Sequence, residues 1–300
     1  MKKFRLFNGL VITVALLGLP VISSTAFGAD DVEEVVAVGS RREARSVGDS
    51  PAPVDIITGS DFVNQGAMDL PDMIRTLVPS FNVNTQPISD AATLIRPANL
   101  RGLPPDNMLV LVNGKRRHRG AVISFLGSGI SDGAQGPDIS AIPSIALKQV
   151  EVLRDGASAQ YGSDAIAGIM NFVLRDNSEG TQLEIRSGEY KEGDGDAWRI
   201  AANVGMPFTS AGYANLSVEL QDSKATSRSV QRADAQGLYD GGNTAIWNYP
   251  DPAQIWGSPD VSDDYKFVVN LGVSLDESKD FYLFGNYGER NVLGGFFFRN

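Results

Sequence analysis

The chain has 300 residues, with 26 basic and 36 acidic side chains and a formal net charge of −10. That balance lacks the basic footprint of general nucleic-acid binding. The absence of cysteine excludes disulfides and cysteine-bound metals, and a single histidine, His118, excludes a multi-histidine centre.

Residues 1–28 read as an export signal. Lys2, Lys3 and Arg5 precede the apolar run 10–19, Pro20 breaks it, and small residues follow to Ala29. The run is shorter than the roughly 20 apolar residues a spanning helix needs. Cleavage after Ala26 or after Gly28 fits the small-residue rule. Residues 29–50 form a charged leader that contains VEEVVAVGSRR at 32–42. Its valines make too small an apolar patch to fold alone, but they suit an extended strand added to a partner's sheet edge.

Residues 51–176 read as one α+β domain. Val54–Ile57 is a short strand, after which Ser60 or Asp61 is the expected helix cap. Asp69-Leu70-Pro71 starts a second helix with Leu70, Met73, Ile74 and Leu77 on one face, closed by Pro79. Met108–Val112 followed by Asn113-Gly114 is a hairpin signal. The Gly/Ser-rich stretch 120–137 reads as a long loop, and 143–147 as a turn of helix. The stretch 150–175, VEVLRDGASAQYGSDAIAGIMNFVLR, places two strand-like runs around a turn-rich segment. There Asp155-Gly156 is expected to turn with positive φ, and Gly162 and Gly168 to allow close backbone approach.

From 180 to 300 the hydrophobic period changes to two. Trp198, Ile200, Ala202, Val204 and Met206 alternate with Arg199, Ala201, Asn203 and Gly205. Similar alternation runs through 214–220 and 265–275, with further strands at 181–190 and 281–287, the last carrying aromatics on both faces. Runs of about 10 alternating residues mark a transmembrane β-barrel, although a soluble antiparallel sandwich gives the same period. The turn at 206–212 is short and the connection 225–262 long, which places the latter outside the cell by the usual barrel rule. An open sheet of five strands would leave unpaired edges in lipid. The expectation is therefore the N-terminal part of a longer protein.

Taken in order, VEEVVAVGSRR, IRPANLRGLPPDNMLVLVNGKRRHR at 95–119 and the 150–175 stretch resemble the TonB-dependent outer-membrane receptor family. The resemblance implies an α+β globular plug domain followed by antiparallel transmembrane β-barrel strands, about 22 in a complete barrel. It implies uptake of a scarce nutrient, most often a ferric siderophore, into the periplasm with energy delivered by TonB. The partners it implies are TonB, a small-molecule ligand such as a ferric chelate, and outer-membrane lipid, with no nucleic acid and no cofactor.

The TonB-binding strand falls on Glu33, Glu34, Val35, Val36, Ala37 and Val38, with Ala37-Val38 standing where many relatives read Val-Thr. Ligand contacts are expected at Gln86, Asp106, Arg116, Arg117, His118 and Arg119, the last four a basic cluster suited to an anionic chelate. The competing reading pairs some of these arginines with acids of the barrel wall. Arg96, Arg101 and Arg154 read as structural. Tyr239, Trp247, Tyr249 and Trp256 in the long connection suit closure over ligand or a membrane-interface belt.

No enzyme is expected, because Asp155, Asp164, Asp176, Ser158 and Ser163 form no nucleophile–base arrangement. Gly127-Ser128-Gly129 lacks the lysine of a phosphate loop. A passive porin-like channel and a soluble exported β-rich binding module are the alternatives that composition leaves open.

Overall fold

The computed structural model describes residues 35–36, 45–46, 53–83, 92–125, 129–243, 257–276 and 278–294. The export signal, most of the leader and the 244–256 aromatic segment lie outside them. In the leader, β1 (Val35–Val36) pairs antiparallel with β2 (Arg45–Ser46).

The α+β domain begins with β3 (Val54–Thr58) and α1 (Gly59–Val63). The cap of α1 is Thr58 rather than Ser60 or Asp61. Asp61 instead sits at the third helical position, where its carboxylate accepts from the Thr58 backbone N–H at 2.7 Å. This is the return half of a capping box. Next, α2 (Leu70–Leu77) is capped by Asp69, which accepts from the Asp72 N–H at 3.1 Å, and buries Leu70, Met73 and Ile74. Then follow β4 (Phe81–Val83), α3 (Ala92–Ile95), β5 (Ala98–Leu100), β6 (Met108–Val112) and β7 (Lys115–Arg116). A 3-10 turn at Ser144–Ala146 leads into β8 (Leu147–Leu153), and α4 (Ser158–Tyr161) separates it from β9 (Gly168–Leu174).

The main sheet has the order β3-β8-β9-β6-β7, with β6 and β9 parallel and the remaining pairs antiparallel. One face packs Met73, Ile74, Phe81, Leu100, Val150 and Phe172 together, and the other gathers Leu109, Leu111, Leu153 and Ile169. Covering both faces explains why β6 is apolar at every position. Asn113 and Gly114 take φ of 47° and 73°, as the tight hairpin between β6 and β7 requires.

The 150–175 stretch departs from expectation in one respect. Gly156 is not left-handed, because its N–H is taken by the Asp155 carboxylate at 2.7 Å and the connection continues into α4. Gly162 takes φ 97°, which favours glycine, but no backbone approaches it; the close approach is at Gly168 alone of the two. There φ is 139°, and an added Cβ would sit 2.3 Å from the Leu153 carbonyl oxygen.

Beyond it an antiparallel meander of five strands runs β10 (Thr181–Gly188), β11 (Ala197–Pro207), β12 (Gly212–Ser223), β13 (Asp260–Asp276) and β14 (Lys279–Leu293). Its amphipathicity is the reverse of a soluble sheet. Trp198 and Ile200 are each 39% exposed, whereas Arg199 between them is 0% exposed. Along β12 and β13 the buried polar set is Asn215, Ser217, Glu219, Gln221, Asp264, Lys266 and Asn270, with Val268 the apolar side chain that joins the plug core.

The polar face lies against the α+β domain and the apolar face points away. A soluble sandwich would bury the apolar face, so the ambiguity left by the period is resolved in favour of a barrel wall with its plug. On β14 the aromatics divide. Tyr282 and Phe284 stack with centroids 6.5 Å apart on the plug side, where Tyr282 lies beneath the Lys115 ammonium though still exposed, and Phe281, Leu283 and Tyr287 are exposed on the other face. The connections alternate: 208–211 and 277–278 are short, while 189–196 and 224–259 are long. The sheet therefore has a short-turn end and a long-loop end.

Candidate functional site: a polar plug–wall interface beneath a long-loop cavity

The wall holds the plug through polar groups. Asn113 Nδ2 donates to Asn270 Oδ1 at 3.3 Å, and Asn270 Nδ2 donates to the Arg175 carbonyl at 2.9 Å. Arg186 reaches from β10 to the α1 segment and donates to the carbonyls of Phe62 at 3.1 Å, Val63 at 2.9 Å and Ala67 at 3.2 Å. At mid-wall, Arg199 bridges Glu184 at 2.8 Å and Glu219 at 2.6 Å and donates to the Ser144 hydroxyl of the plug at 2.6 Å. Lys266 adds a second cation on Glu219 at 2.6 Å and meets Asp264 at 3.3 Å. Charges this deeply buried persist only when paired and hydrogen-bonded, and here every one is.

A cavity of about 380 Å³ opens at the long-loop end, with plug residues 66–76 and 93–96 as its floor and the ends of β10–β14 as its wall. Its floor carries a carboxylate pair around one guanidinium. Arg96 pairs with Asp69 and lies 3.2 Å from Asp72, which Arg75 approaches at 3.4 Å.

Burial alone would raise the Asp69 carboxyl, but Arg96 and hydrogen bonds from Asp72 hold it at about 2. Burial and the adjoining Asp69 charge push Asp72 up to about 6, against the pull of Arg96 and Arg75. Although burial disfavours the Arg96 charge, its two carboxylate partners raise its pKa further.

At the rim, Arg228 bridges Glu192 at 3.2 Å and Asp194, and its guanidinium lies 5.7 Å from the centre of the Tyr190 ring. These contacts tie the loop 189–196 to the start of the longer loop, and the hydrogen bond from Arg228 leads the causes that lower the Asp194 pKa.

The residues singled out in the sequence fall elsewhere. Arg116 belongs to the edge strand β7, pairs with Asp164 and donates to the Tyr161 carbonyl at 3.0 Å. Arg117 donates to Asn286 of the wall at 2.6 Å. Burial lowers its pKa, and its Nε has no hydrogen-bond partner among the described residues. Arg119 lies 3.7 Å from Asp106, whose other contact is the Gln135 N–H at 3.1 Å. His118 joins them on a smaller cavity of about 140 Å³ at the plug's flank.

Thus Arg116, Arg117, His118, Arg119 and Asp106 do come together, but away from the long-loop cavity. Two of the arginines answer to plug acids, and the one that reaches the wall meets an amide. Gln86, Glu33, Glu34, Ala37 and Val38 lie outside the described residues, whereas Val35 and Val36 form β1.

In the sequence, Asp69 signals only a helix start and Arg96 only a structural arginine, and Asp72 is not singled out. Arg96 stands before Pro97 and takes φ 52° in the structure, a strained backbone the sequence did not signal. Nothing in the sequence links it to Asp69 across 27 positions.

A plug seated by polar contacts against an inside-out antiparallel sheet defines the class as a plugged outer-membrane barrel protein. Comparison with known proteins makes this specific. Residues 46–169 match the TonB-dependent receptor plug domain. The vitamin B12 transporter BtuB of Photobacterium profundum is 24% identical over 213 residues, 71% of this chain and 31% of that protein. The ferric enterobactin receptor PirA of Pseudomonas aeruginosa is 30% identical over 162 residues, 53% of this chain and 21% of that protein.

Among solved structures, a mutant of the ferric enterobactin receptor PfeA of Pseudomonas aeruginosa in complex with enterobactin superposes with a TM-score of 0.59. It is 19% identical, and the match covers 80% of this chain and 33% of that one. The siderophore receptor PirA of Acinetobacter baumannii gives a TM-score of 0.56 at 20% identity, covering 80% and 32%. At these identities the structural likeness speaks for the fold. Residues 46–169 thus carry a TonB-dependent receptor plug domain, the relatives support that receptor family, and the chain spans between a fifth and a third of the length of the relatives it matches.

Proposed function

We propose that this chain is the leader, plug and first wall strands of an energised outer-membrane importer, exported by a signal at residues 1–28. In this reading the leader occupies 29–50, the plug 51–176 and the wall 180–300. The long-loop cavity faces outward and receives a scarce, bulky nutrient, with a ferric chelate as the first candidate and a corrinoid as the next. The observation that carries the reading is the polar plug–wall interface. A plug held by hydrogen bonds and ion pairs can exchange them for water as it moves, whereas an apolar interface would expose greasy surface.

The leader supplies the handle for that movement. Among the described residues β1 pairs only with β2, so its second edge is free for strand addition by TonB. Backbone hydrogen bonds give such a contact its strength, and Glu33, Glu34, Val35, Val36, Ala37 and Val38 set its register. Ligand outside and TonB inside must then bias one plug equilibrium, which is a coupling free energy between two sites.

The test is deletion of Glu33–Val38 in the full-length protein, followed in cells with a radiolabelled ferric chelate and radiolabelled cyanocobalamin. The reading predicts loss of energised accumulation with surface binding nearly unchanged. Equal loss of both, or accumulation that survives the deletion, contradicts it.

A further inference from the structure

The leader runs into β3, which among the described residues is the edge strand of the plug sheet and pairs only with β8. Besides the backbone ladder, the exposed Arg154 on Asp55 ties the same two strands. A pull on the leader therefore unzips Val54 first and Thr58 last, and then reaches α1. What holds α1 decides how far that pull travels into the plug.

The hold comes from the wall. The Arg186 side chain, on β10, is 14% exposed, and all five N–H donors of its guanidinium are used. Nε donates to Glu184 of the same strand. Nη1 donates to the carbonyls of Gln65 and Ala67, and Nη2 to those of Phe62 and Val63. Phe62 and Val63 end α1, where helical carbonyls lack partners further along the helix. Glu184 keeps the guanidinium from being an uncompensated charge, and it shares itself with Arg199, the other wall arginine that touches the plug. Immediately beyond the held carbonyls, Gly66, Ala67, Met68 and Asp69 line the long-loop cavity. Arg186 thus stands between the strand that takes the pull and the floor of the cavity.

We propose that Arg186 is a backbone clamp that arrests a pull on the leader at residues 62–67, so that β3 is drawn off β8 while the cavity floor stays on the wall. The inference rests on the reading of the leader as the handle. Rungs of a strand ladder pulled from one end break one at a time, whereas bonds from a single guanidinium are loaded together. Those bonds are also charge-assisted, the stronger kind, and they come from a rigid planar fork. Because all four plug acceptors are main-chain carbonyls, the clamp depends on the wall side chain and on the path of the plug backbone. It does not depend on which side chains the plug carries there.

The test pulls the full-length protein, held in a supported phospholipid bilayer and tethered by a tag ahead of Asp30, and reads the chain length released in each step. In the native sequence the first step inside the plug should free the stretch from Val54 to Phe62, roughly 28 Å at ~3.5 Å per residue. Arg186→Lys keeps a cation on Glu184 but replaces the five-donor fork with a three-donor point charge. There the first step should run on to Asp69, which Arg96 holds, and lengthen to roughly 50 Å. Phe62→Leu loosens the packing of α1 and leaves the carbonyls in place, so its first step should match the native one.

Equal first steps in the native and Arg186→Lys proteins overturn the proposal, as does a native first step that passes Ala67. Lengthening by Phe62→Leu as large as that by Arg186→Lys overturns it too, because packing would then be the stop. Should the lysine variant fail to insert, the native step length decides. The applied force stands in for TonB, so failure of the leader deletion to abolish uptake would strike the energy-coupling reading and leave these lengths unaffected.

Discussion

The plug and the wall are built from one chain by opposite rules. In the plug the core is apolar, with Phe172, Met73 and Ile74 buried, and a charge such as Glu151 enters it only with a partner, accepting from Asn171 at 3.0 Å. In the wall, Arg199, Glu219 and Lys266 are buried while Trp198, Ile200 and Phe267 are exposed. The difference teaches that hydrophobicity specifies a neighbour rather than an inside. In the proposed receptor the wall's apolar face is left to lipid, while its polar face meets the plug.

The comparison can be broken by substitutions whose sign depends on the rule. Phe172→Ala removes a fully buried plug side chain and should cost about 3–5 kcal/mol, through lost transfer energy and a cavity. Arg199→Leu, a change that would help an ordinary core, should cost a similar ~3–5 kcal/mol here because Glu184 and Glu219 lose their shared cation. Ile200→Lys on the outward face should cost about 2–4 kcal/mol near the bilayer midplane, whereas on a solvated sheet face it would be close to neutral. Equilibrium unfolding of the full-length protein in phospholipid vesicles measures all three. A harmless Ile200→Lys would mean that the outward face meets water.

Contacts between plug and wall should be weaker singly. Asn286→Ala removes the amide that receives Arg117 and should cost about 0.5–1.5 kcal/mol. Plug release under mild denaturant, followed by protease access to the plug, would show the change with little effect on wall integrity.

The smallest effect concerns pH. With a folded pKa of about 6 against an ordinary 3.8, Asp72 binds a proton more readily in the folded state, so stability rises as pH falls through that window. Below it Asp69, held at about 2, reverses the slope, because its folded-state advantage belongs to the ionised form. Asp69, Arg75 and Arg96 are the charged groups facing Asp72. Asp72→Asn should flatten the upper window in pH-dependent unfolding.

Much of the architecture was legible. Alternation of Trp198, Ile200 and Ala202 with Arg199, Ala201 and Asn203 announced a two-faced strand, and Asn113-Gly114 announced its hairpin through the positive φ both residues adopt. The leader valines at 35 and 36 do form a strand. Period alone did not say which face would be buried, since the same alternation serves lipid and water.

The cavity floor was not legible, for a different reason. Asp69 looked like the start of a helix, which it caps, Asp72 carried no signal, and their partner Arg96 arrives from another element. The partners of the basic run 116–119 were not legible either, because charge density in a sequence does not show where the neutralising acids lie. Asp106 and Asp164 reach Arg119 and Arg116 only in the folded plug. The α1 cap went to Thr58 because Asp61 was needed one turn further on as the acceptor.

The rule that separates wall from plug is tested most directly by a nitroxide scan along β13. Single cysteines from Asp264 to Leu271 in the full-length protein, with any cysteine outside this cysteine-free chain replaced, would be read in vesicles for collision with oxygen and with a water-soluble nickel chelate. The account predicts oxygen maxima at Tyr265, Phe267, Val269 and Leu271 and minima at Lys266, Val268 and Asn270. Maxima in the opposite phase, or nickel exceeding oxygen at Phe267, would contradict it.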